Sequence, residues 1–306
     1  MVPDLDLDRD LDPNRYHVHR AEVRPGVSLA YVREGVGGVP LLLIHGFPET
    51  KRIWWRNIGP LADAGFEVIV ADLRGYGDSP MPDDGFADTA AYSRDLHALV
   101  CDILGHDSCV AAAGDLGGVV MYDLGLRFPG LVTRQCFFNS VPPPAGGDAG
   151  FADHPVATAD YFIRQGTDAD GLAAELDTPQ RRVAYIADFY GHRLWAGPNS
   201  FDAASISFHA EPFADATTFR TSIAAYEPAF RSRPISERAL FKQPNDIPTL
   251  VLYGPEDHVI PAGFPHACAG AFSRCIGPFV VPGAGHFLQW ERAELFNRAL
   301  EGFLLR

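Results

Sequence analysis

Short runs of consecutive apolar residues recur along the chain and alternate with stretches of helical periodicity. Such runs predict parallel strands, because a strand that is buried on both faces of a sheet has no polar side. Helical patterns, such as those at residues 89–104 and 291–304, follow the runs. Strand and helix in alternation predict an α/β fold with a mainly parallel sheet and helices on both faces. The predicted strands are residues 41–44, 68–71, 110–113, 135–138, 250–253 and 279–281.

The alternation breaks between residues 142 and 234, where aromatic residues and helical patterns are frequent. Clusters of proline and glycine mark both ends of this segment. We therefore predict a helical cap at residues 142–234, inserted into a core that comprises residues 15–141 and 235–306. Ahead of the first parallel strand, residues 16–34 predict two antiparallel strands around Pro25-Gly26. Residues 1–14 are acidic and rich in proline, which predicts a surface arm.

Composition restricts the classes of binding partner and the cellular compartment that we expect. A chain of 306 residues, 47% of them hydrophobic, can bury a large core. The net charge of −14 argues against nucleic-acid and anionic-membrane partners, since phosphate binding usually rests on a basic surface. The N-terminus lacks the pattern of a secretory signal, and no apolar stretch approaches the roughly 20 residues of a membrane span. The five cysteines are odd in number and mostly lie in apolar segments, which predicts reduced thiols and a cytoplasmic location.

An aspartate occupies a turn of small residues between a predicted strand and a predicted helix. Asp115 follows the apolar run at residues 109–113 and lies within Gly114-Asp115-Leu116-Gly117-Gly118. Small neighbours permit the strained bend that presents a side chain at the mouth of a sheet. An ionised carboxylate can displace a leaving group at a saturated carbon and form an ester with the enzyme. Taken alone, the motif also fits an aspartate that caps the following helix.

Two further residues complete a predicted catalytic triad. Asp257 lies just beyond the strand at residues 250–253, and His286 lies in a glycine-rich loop before the last helix. Nucleophile, acid and histidine therefore occur in the chain order, and at the strand ends, that such a triad requires. At the acid position, Glu256 and His258 are the alternatives.

The segment His45-Gly46-Phe47-Pro48 follows the strand that ends at residue 44. Its loop can turn backbone N–H groups toward the elbow, so the amides of Phe47 and Leu116 are predicted to form an oxyanion hole. The peptide before Pro48 is a candidate cis bond. An ordinary turn is the alternative interpretation. We predict no metal and no organic cofactor, because the chain offers neither a metal cluster nor a nucleotide-binding glycine motif.

Taken together, these motifs resemble those of the α/β-hydrolase-fold epoxide hydrolases and their dehalogenase relatives. The resemblance extends from about Tyr16 to the end of the chain and implies an α/β-hydrolase fold. An aspartate nucleophile distinguishes the chain from most esterases and lipases of that fold. The matching segments are residues 45–49, 72–79, 114–118 and 283–287, together with Asp257.

The residue after the nucleophile helps to choose among these relatives. Haloalkane dehalogenases usually place tryptophan there to donate an N–H to halide, and fluoroacetate dehalogenases use arginine to hold the substrate carboxylate. This chain has Leu116, whose side chain cannot donate a hydrogen bond.

Epoxide hydrolases use tyrosines of the cap to protonate the opening epoxide, and the resemblance implies that Tyr226 is one of them. A buried structural role is the alternative for Tyr226. The first tyrosine of the family is expected near Thr158. Either Tyr161 takes its role after a local shift, or another donor does so, with His154, His209 and Trp195 as candidates.

We therefore expect an epoxide hydrolase that converts a small apolar or aromatic epoxide and water into a vicinal diol. The covalent intermediate would be an ester of Asp115. A haloalkane or haloacid dehalogenase with the same nucleophile is the first alternative. A ligand-binding receptor without catalysis is the second. A homodimer is left open.

Overall fold

A mainly parallel sheet of eight strands forms the centre of the protein. The structure is a computed structural model that describes residues 10–142, 159–192, 194–241, 243–260 and 263–306. Every predicted strand is present, within a few residues of its expected bounds. The strands are β1 (Val18–Arg24), β2 (Val27–Glu34), β3 (Val39–Ile44), β4 (Phe66–Ala71), β5 (Cys109–Gly114), β6 (Val132–Phe138), β7 (Thr249–Tyr253) and β8 (Cys275–Val280).

The strand order across the sheet is β1-β2-β4-β3-β5-β6-β7-β8. The predicted antiparallel pair is confirmed, since β2 runs antiparallel to β1 and also to β4. From β4 to β8 all neighbours are parallel, so their carboxyl ends lie at one edge. Strands β3 and β5 end in register, with Ile44 beside Ala113. The loops that follow these two strands are therefore neighbours, which places Phe47 next to Asp115.

Helices surround the sheet, and eleven α-helices lie in the described residues. None of the helices described is long and apolar enough to cross a lipid bilayer. The helix predicted at residues 89–104 is observed as α2 followed by a π-helical turn, Leu99–Ile103. The helices are α1 (Trp55–Asp63), α2 (Thr89–Ala98), α3 (Asp115–Arg127), α4 (Asp160–Thr167), α5 (Ala169–Glu175), α6 (Pro179–Gly191), α7 (Ala203–Ala210), α8 (Ala216–Ser222), α9 (Phe264–Ala271), α10 (Leu288–Glu291) and α11 (Ala293–Leu304).

Helices cover both faces of the sheet, as predicted, and aromatic side chains pack on each face. Phe137 and Phe138 are consecutive in β6, so they point to opposite faces. The ring centroid of Phe137 lies 4.9 Å from that of Phe272, which ends α9. The centroid of Phe138 lies 5.0 Å from that of Phe296 in α11 and 6.1 Å from that of Trp54. Each face of the sheet is thus covered by its own aromatic layer.

The apolar run at residues 279–281 does not form a buried strand. It belongs to β8, which starts earlier, at Cys275, and pairs with β7 at the end of the sheet. Phe279 is 54% exposed and Val280 is 60% exposed. A continuous apolar run therefore marks a strand here, but it does not indicate how deeply the strand is buried.

The segment predicted as a cap is largely helical where it is described. Helices α4 to α8 and two 3₁₀ turns, Glu211–Ala214 and Ile223–Phe230, account for most of residues 160–230. The expected slot near Thr158 and the candidate His154 lie outside the described residues. The domain boundaries at 142 and 234 stay predictions. Of the predicted arm, residues 10–14 contact the core, since the Trp55 indole donates a hydrogen bond to the Asp12 carbonyl at 2.9 Å.

Candidate active site

Asp115 occupies a strained bend between β5 and α3. Its φ is +45°, in the left-handed region that residues other than glycine rarely adopt. A Cβ on Gly117 would lie 2.5 Å from the carbonyl oxygen of Ile44, so the elbow needs glycine at that position. The helix-cap alternative is wrong, because the N-cap residue of α3 is Gly114 rather than Asp115, and no side-chain hydrogen bond caps this helix. The carboxylate of Asp115 instead faces the loop after β3.

The three residues of the predicted triad lie together at the carboxyl edge of the sheet. Nδ1 of His286 lies 2.8 Å from Oδ2 of Asp257, and Nε2 lies 3.3 Å from Oδ2 of Asp115. Asp257 and His286 are each 2% exposed. The other oxygen of Asp257 accepts hydrogen bonds from the amides of Val259 and Ile260, at 2.9 and 3.1 Å. Those two amides fix the carboxylate that orients the imidazole.

The charge of this site favours a protonated histidine. Burial alone would lower the pKa of His286, but the carboxylates of Asp257 and Asp115 outweigh it and hold the pKa well above its ordinary value. The imidazolium therefore lies between two negative groups in a water-poor place, where ion pairing is stronger than in water. The indole of Trp195 covers the imidazole edge to face, with the ring centroids 4.8 Å apart.

The loop after β3 supplies a hydrogen-bond donor to the Asp115 carboxylate. The Phe47 amide donates to Oδ1 at 2.7 Å, and the Phe47–Pro48 peptide is cis. The amide of Leu116 makes no hydrogen bond to this carboxylate in the part of the chain that the structure describes. The role of Leu116 as the second oxyanion donor stays a prediction.

A neutral histidine fixes this loop against the next one. The Leu73 amide can only donate, so Nε2 of His45, 2.9 Å away, accepts. Nδ1 of His45 therefore carries the proton and donates to the Gly46 carbonyl at 2.9 Å. Burial lowers the pKa of His45, which is fully enclosed. No role was predicted for His45, although His45 is the first residue of the segment 45–49 that carries the resemblance.

Asn139 joins three of the site's loops and was missed by the sequence analysis. Its carbonyl accepts from the Asp115 amide at 3.0 Å. Its side-chain amide donates to the carbonyls of Gly285 and His286, at 2.6 and 3.0 Å, and its side-chain oxygen accepts from the Gly254 amide at 2.9 Å. Its place directly after β6 was the available signal, because that strand end lies between the ends of β5 and β7.

Another buried carboxylate, that of Glu49, lies near Asp115. Glu49 is 3% exposed. One of its oxygens accepts from the Gly46 amide at 2.6 Å, and the other accepts from the Gln289 side-chain amide at 2.8 Å. Glu49 lies within the segment 45–49 that carried the resemblance, but sequence reasoning gave it no role.

Both cap tyrosines reach the site. The ring of Tyr226 lies edge to face with that of Phe47, at 5.2 Å between centroids, and 6.2 Å from that of Tyr161. Tyr161 in turn contacts Trp195, with the centroids 5.2 Å apart. Burial first, and then the charge of Asp115, raises the pKa of each tyrosine well above its ordinary value. Both hydroxyls therefore stay protonated and can act as hydrogen-bond donors.

Of the other donor candidates, His209 is enclosed between the predicted cap and the core. Its ring stacks on that of Tyr190 at 5.0 Å and meets that of Trp290 at 4.3 Å. Burial lowers the pKa of His209 well below its ordinary value. Trp195, by contrast, lies at the site through its contacts with His286 and Tyr161.

Comparison with known proteins agrees with this architecture. The sequence profile of a family described as "alpha/beta hydrolase fold" matches residues 39–293. Epoxide hydrolase A of Mycobacterium tuberculosis is 36% identical over an alignment 317 residues long, which covers 91% of this chain and 94% of the relative. A haloalkane dehalogenase of Bradyrhizobium diazoefficiens is 27% identical over 312 residues, with 95% of each chain covered.

A solved structure extends the similarity to three dimensions. The crystal structure of epoxide hydrolase A from Mycobacterium thermoresistibile superposes with a TM-score of 0.74 at 26% sequence identity, and 94% of this chain and 98% of that chain are covered. Three observations support the same assignment: the strand order, the elbow at Asp115 and the match to the family profile over most of the chain. The chain therefore belongs to the α/β-hydrolase fold family, in which it is a relative of the epoxide hydrolases.

Proposed function

We propose that the protein is an epoxide hydrolase that works through a covalent ester of Asp115. The observation that carries this proposal is the meeting of two tyrosines of the predicted cap, partly buried Tyr161 and buried Tyr226, with the Asp115–His286–Asp257 array. A carboxylate nucleophile needs an acid for the departing oxygen, and protonated phenols suit a strongly basic alkoxide. Epoxide hydrolase A of Mycobacterium tuberculosis, similar over nearly its whole length, supports the same assignment.

In the first step Asp115 attacks one epoxide carbon. Oδ1 is held by the Phe47 amide, so the attacking oxygen is Oδ2. A carbon–oxygen bond forms to Asp115 while the epoxide C–O bond breaks. Tyr161 and Tyr226 donate hydrogen bonds to the emerging alkoxide, and one of them delivers the proton. The product of this step is a hydroxyalkyl ester of the enzyme.

The same step changes the state of His286. Once Asp115 is esterified, it no longer carries the negative charge that helps to raise the pKa of His286. The imidazolium then loses its proton more readily, and this proton replaces the one delivered by the tyrosine. The neutral imidazole, oriented by Asp257, can now take a proton from water.

In the second step this water attacks the ester carbonyl. The developing negative charge forms on Oδ1, where the Phe47 amide already donates and where the Leu116 amide is proposed to join it. Collapse of the tetrahedral intermediate breaks the bond between the Asp115 carbonyl carbon and Oδ2, the oxygen that attacked the epoxide. The imidazolium gives its proton to that oxygen, which leaves as part of the diol. The second proton of the water then passes from the Asp115 carboxyl group to His286, which restores the resting ion pair.

Glu49 is proposed to carry a proton while Asp115 is charged. Burial, followed by the charge of Asp115, raises the pKa of Glu49 to about 7. The side-chain oxygen of Gln289 has no hydrogen-bond partner among the described residues, so a rotated Gln289 amide could accept from neutral Glu49. A proton on Glu49 removes a competing negative charge from beside the nucleophile.

The alternatives fit the surroundings less well. A dehalogenase needs donors for the leaving halide, and Leu116 provides none from its side chain. A receptor has no use for a buried, hydrogen-bonded acid–histidine pair beside a strained nucleophile. Aromatic rings of Phe189, Trp195 and Tyr161 contact one another next to His286, which favours an apolar or aromatic epoxide as the substrate.

Replacing the nucleophile tests the first step. We expect Asp115→Asn to abolish both diol formation and ester formation, because a neutral amide is a poor nucleophile. Diol formation is measured with an apolar aromatic epoxide, and mass spectrometry verifies that residue 115 remains asparagine. Full diol formation by that verified variant would reject Asp115 as the nucleophile.

Replacing the base tests the second step. His286→Gln should form the ester but hydrolyse it slowly, so the enzyme mass should increase by the mass of one substrate. The exposed neighbour of the acid gives a matched control: His258→Gln should turn over normally. Rapid multiple turnover by His286→Gln without a mass increase contradicts the proposed role of His286.

The two cap tyrosines should act in ring opening. Tyr161→Phe and Tyr226→Phe should each slow ester formation by about 10- to 100-fold, and the double variant should slow it further, because each change removes a donor to the alkoxide. Rapid-quench measurement of the ester reports this step. Tyr185→Phe is the control, since that cap hydroxyl is 3.0 Å from the Gln165 side-chain amide. Equal ester formation in all variants would contradict the role of the tyrosines.

The raised pKa of Glu49 should appear in the pH dependence of stability. The folded protein retains this proton between about pH 4.5 and 7 whereas the unfolded chain releases it, so the free energy of unfolding falls as pH rises through that window. Glu49→Gln has no titratable group at this position, so its free energy of unfolding does not fall in this way. Relative to that of the wild type, it should rise by about 3 kcal/mol between pH 4.5 and 8. Denaturant unfolding at both pH values measures the difference, with exposed Glu301→Gln as the control. A pH-independent difference would contradict a raised pKa.

A further inference from the structure

The carboxylate of Glu291 gathers backbone donors from two separate segments. It is 7% exposed and ends the short helix α10. One oxygen accepts from the Gly285 amide at 2.7 Å, from the Gly197 amide at 3.0 Å and from the Ser200 hydroxyl at 3.0 Å. The other oxygen accepts from the Phe287 amide at 3.1 Å. Two of these donors belong to the predicted cap and two to the loop of the catalytic histidine.

The donors from the core lie on either side of His286. Glu291 holds the amides of Gly285 and Phe287, while the amide of His286 itself donates to the Trp195 carbonyl at 2.6 Å. Three consecutive amides of the histidine loop are thereby fixed. The approach of the two segments is so close that a Cβ on Gly285 would lie 2.5 Å from the Trp195 carbonyl oxygen.

The need for this attachment changes during the proposed reaction. In the resting protein the imidazole is held from both sides, by a hydrogen bond with Asp257 at Nδ1 and by an ion pair with Asp115 at Nε2. Esterification removes the charge of Asp115 and with it the attachment at Nε2. The ring must then keep its place through Asp257 and through its own backbone, at the moment when it has to orient a water molecule.

We propose that Glu291 is a positioning residue for His286, which joins residues 195–200 to the histidine loop and keeps the imidazole in place for hydrolysis of the ester. This inference rests on the proposed function and deepens it, because it assigns a residue that acts selectively in the second step. Glu291 itself touches neither the substrate nor the reacting atoms.

The test is Glu291→Gln in the chain of 306 residues, with an apolar aromatic epoxide as the probe. Glutamine has nearly the same shape, but its NH₂ group must face at least one amide that donates to Glu291. Loss of a hydrogen bond to a charged group should slow ester hydrolysis by about tenfold or more, and ester formation should stay within about twofold. Rapid quench and mass spectrometry measure the two rates separately.

Steady-state kinetics distinguish a positioning role from a merely structural one, because the two roles change KM differently. Where ester hydrolysis limits turnover, kcat and KM should fall together and kcat/KM should stay constant. A fraction of misfolded enzyme would instead lower kcat and leave KM unchanged. Glu294→Gln is the matched control, since that carboxylate is 71% exposed and should leave both steps unchanged.

A second variant separates the two segments that Glu291 joins. Ser200→Ala removes one cap-side donor and leaves the bonds to Gly285 and Phe287 in place. It should slow the same step as Glu291→Gln, by a smaller factor. If both variants hydrolyse the ester at the wild-type rate, or if ester formation slows equally, this inference is wrong while the proposed function stands. If His286→Gln forms no ester, the proposed function itself fails, and the inference with it.

Discussion

A positively charged imidazole lies between two carboxylates in a place that water scarcely reaches, and the surrounding structure has to make that arrangement tolerable. Ionised groups taken out of water need partners and hydrogen bonds for their remaining lone pairs. Asp257 receives two amides, Asp115 receives the amide of Phe47, and His286 lies between them. The protein thus stabilises buried charge largely with backbone donors, whose positions follow directly from the fold.

The parallel sheet explains why so many loops can contribute. Strands β3, β5, β6, β7 and β8 end at one edge, so five loops that are distant in sequence lie side by side. Asn139, after β6, binds the elbow, the acid loop and the histidine loop with one side chain and its own carbonyl. Charged side chains and their donors are therefore placed by the same element of architecture. The cap adds the aromatic cover and the two phenols.

Sequence reasoning could predict the features that depend on local pattern. Apolar runs gave the strands, because burial on both faces leaves no polar side, and the glycines around Asp115 gave the elbow, because a Cβ at Gly117 would meet the Ile44 carbonyl. Asp257 and His286 could be named because they follow strands whose ends must converge. The exposure of Phe279 was not predictable in this way, since the position of β8 at the sheet edge depends on strand order rather than on composition.

The two buried glutamates that were missed share a different property: each accepts a hydrogen bond from a residue that is far away in the sequence. Glu49 meets Gln289 across 240 residues, and Glu291 meets Gly197 across 94 residues. An isolated glutamate in a sequence reads as a surface residue, because glutamates are rarely buried unless they are paired. What makes these two tolerable in the interior is a set of amides that comes together after folding. Their burial near the triad is therefore a consequence of tertiary structure. It indicates roles in the site that no local sequence motif predicts.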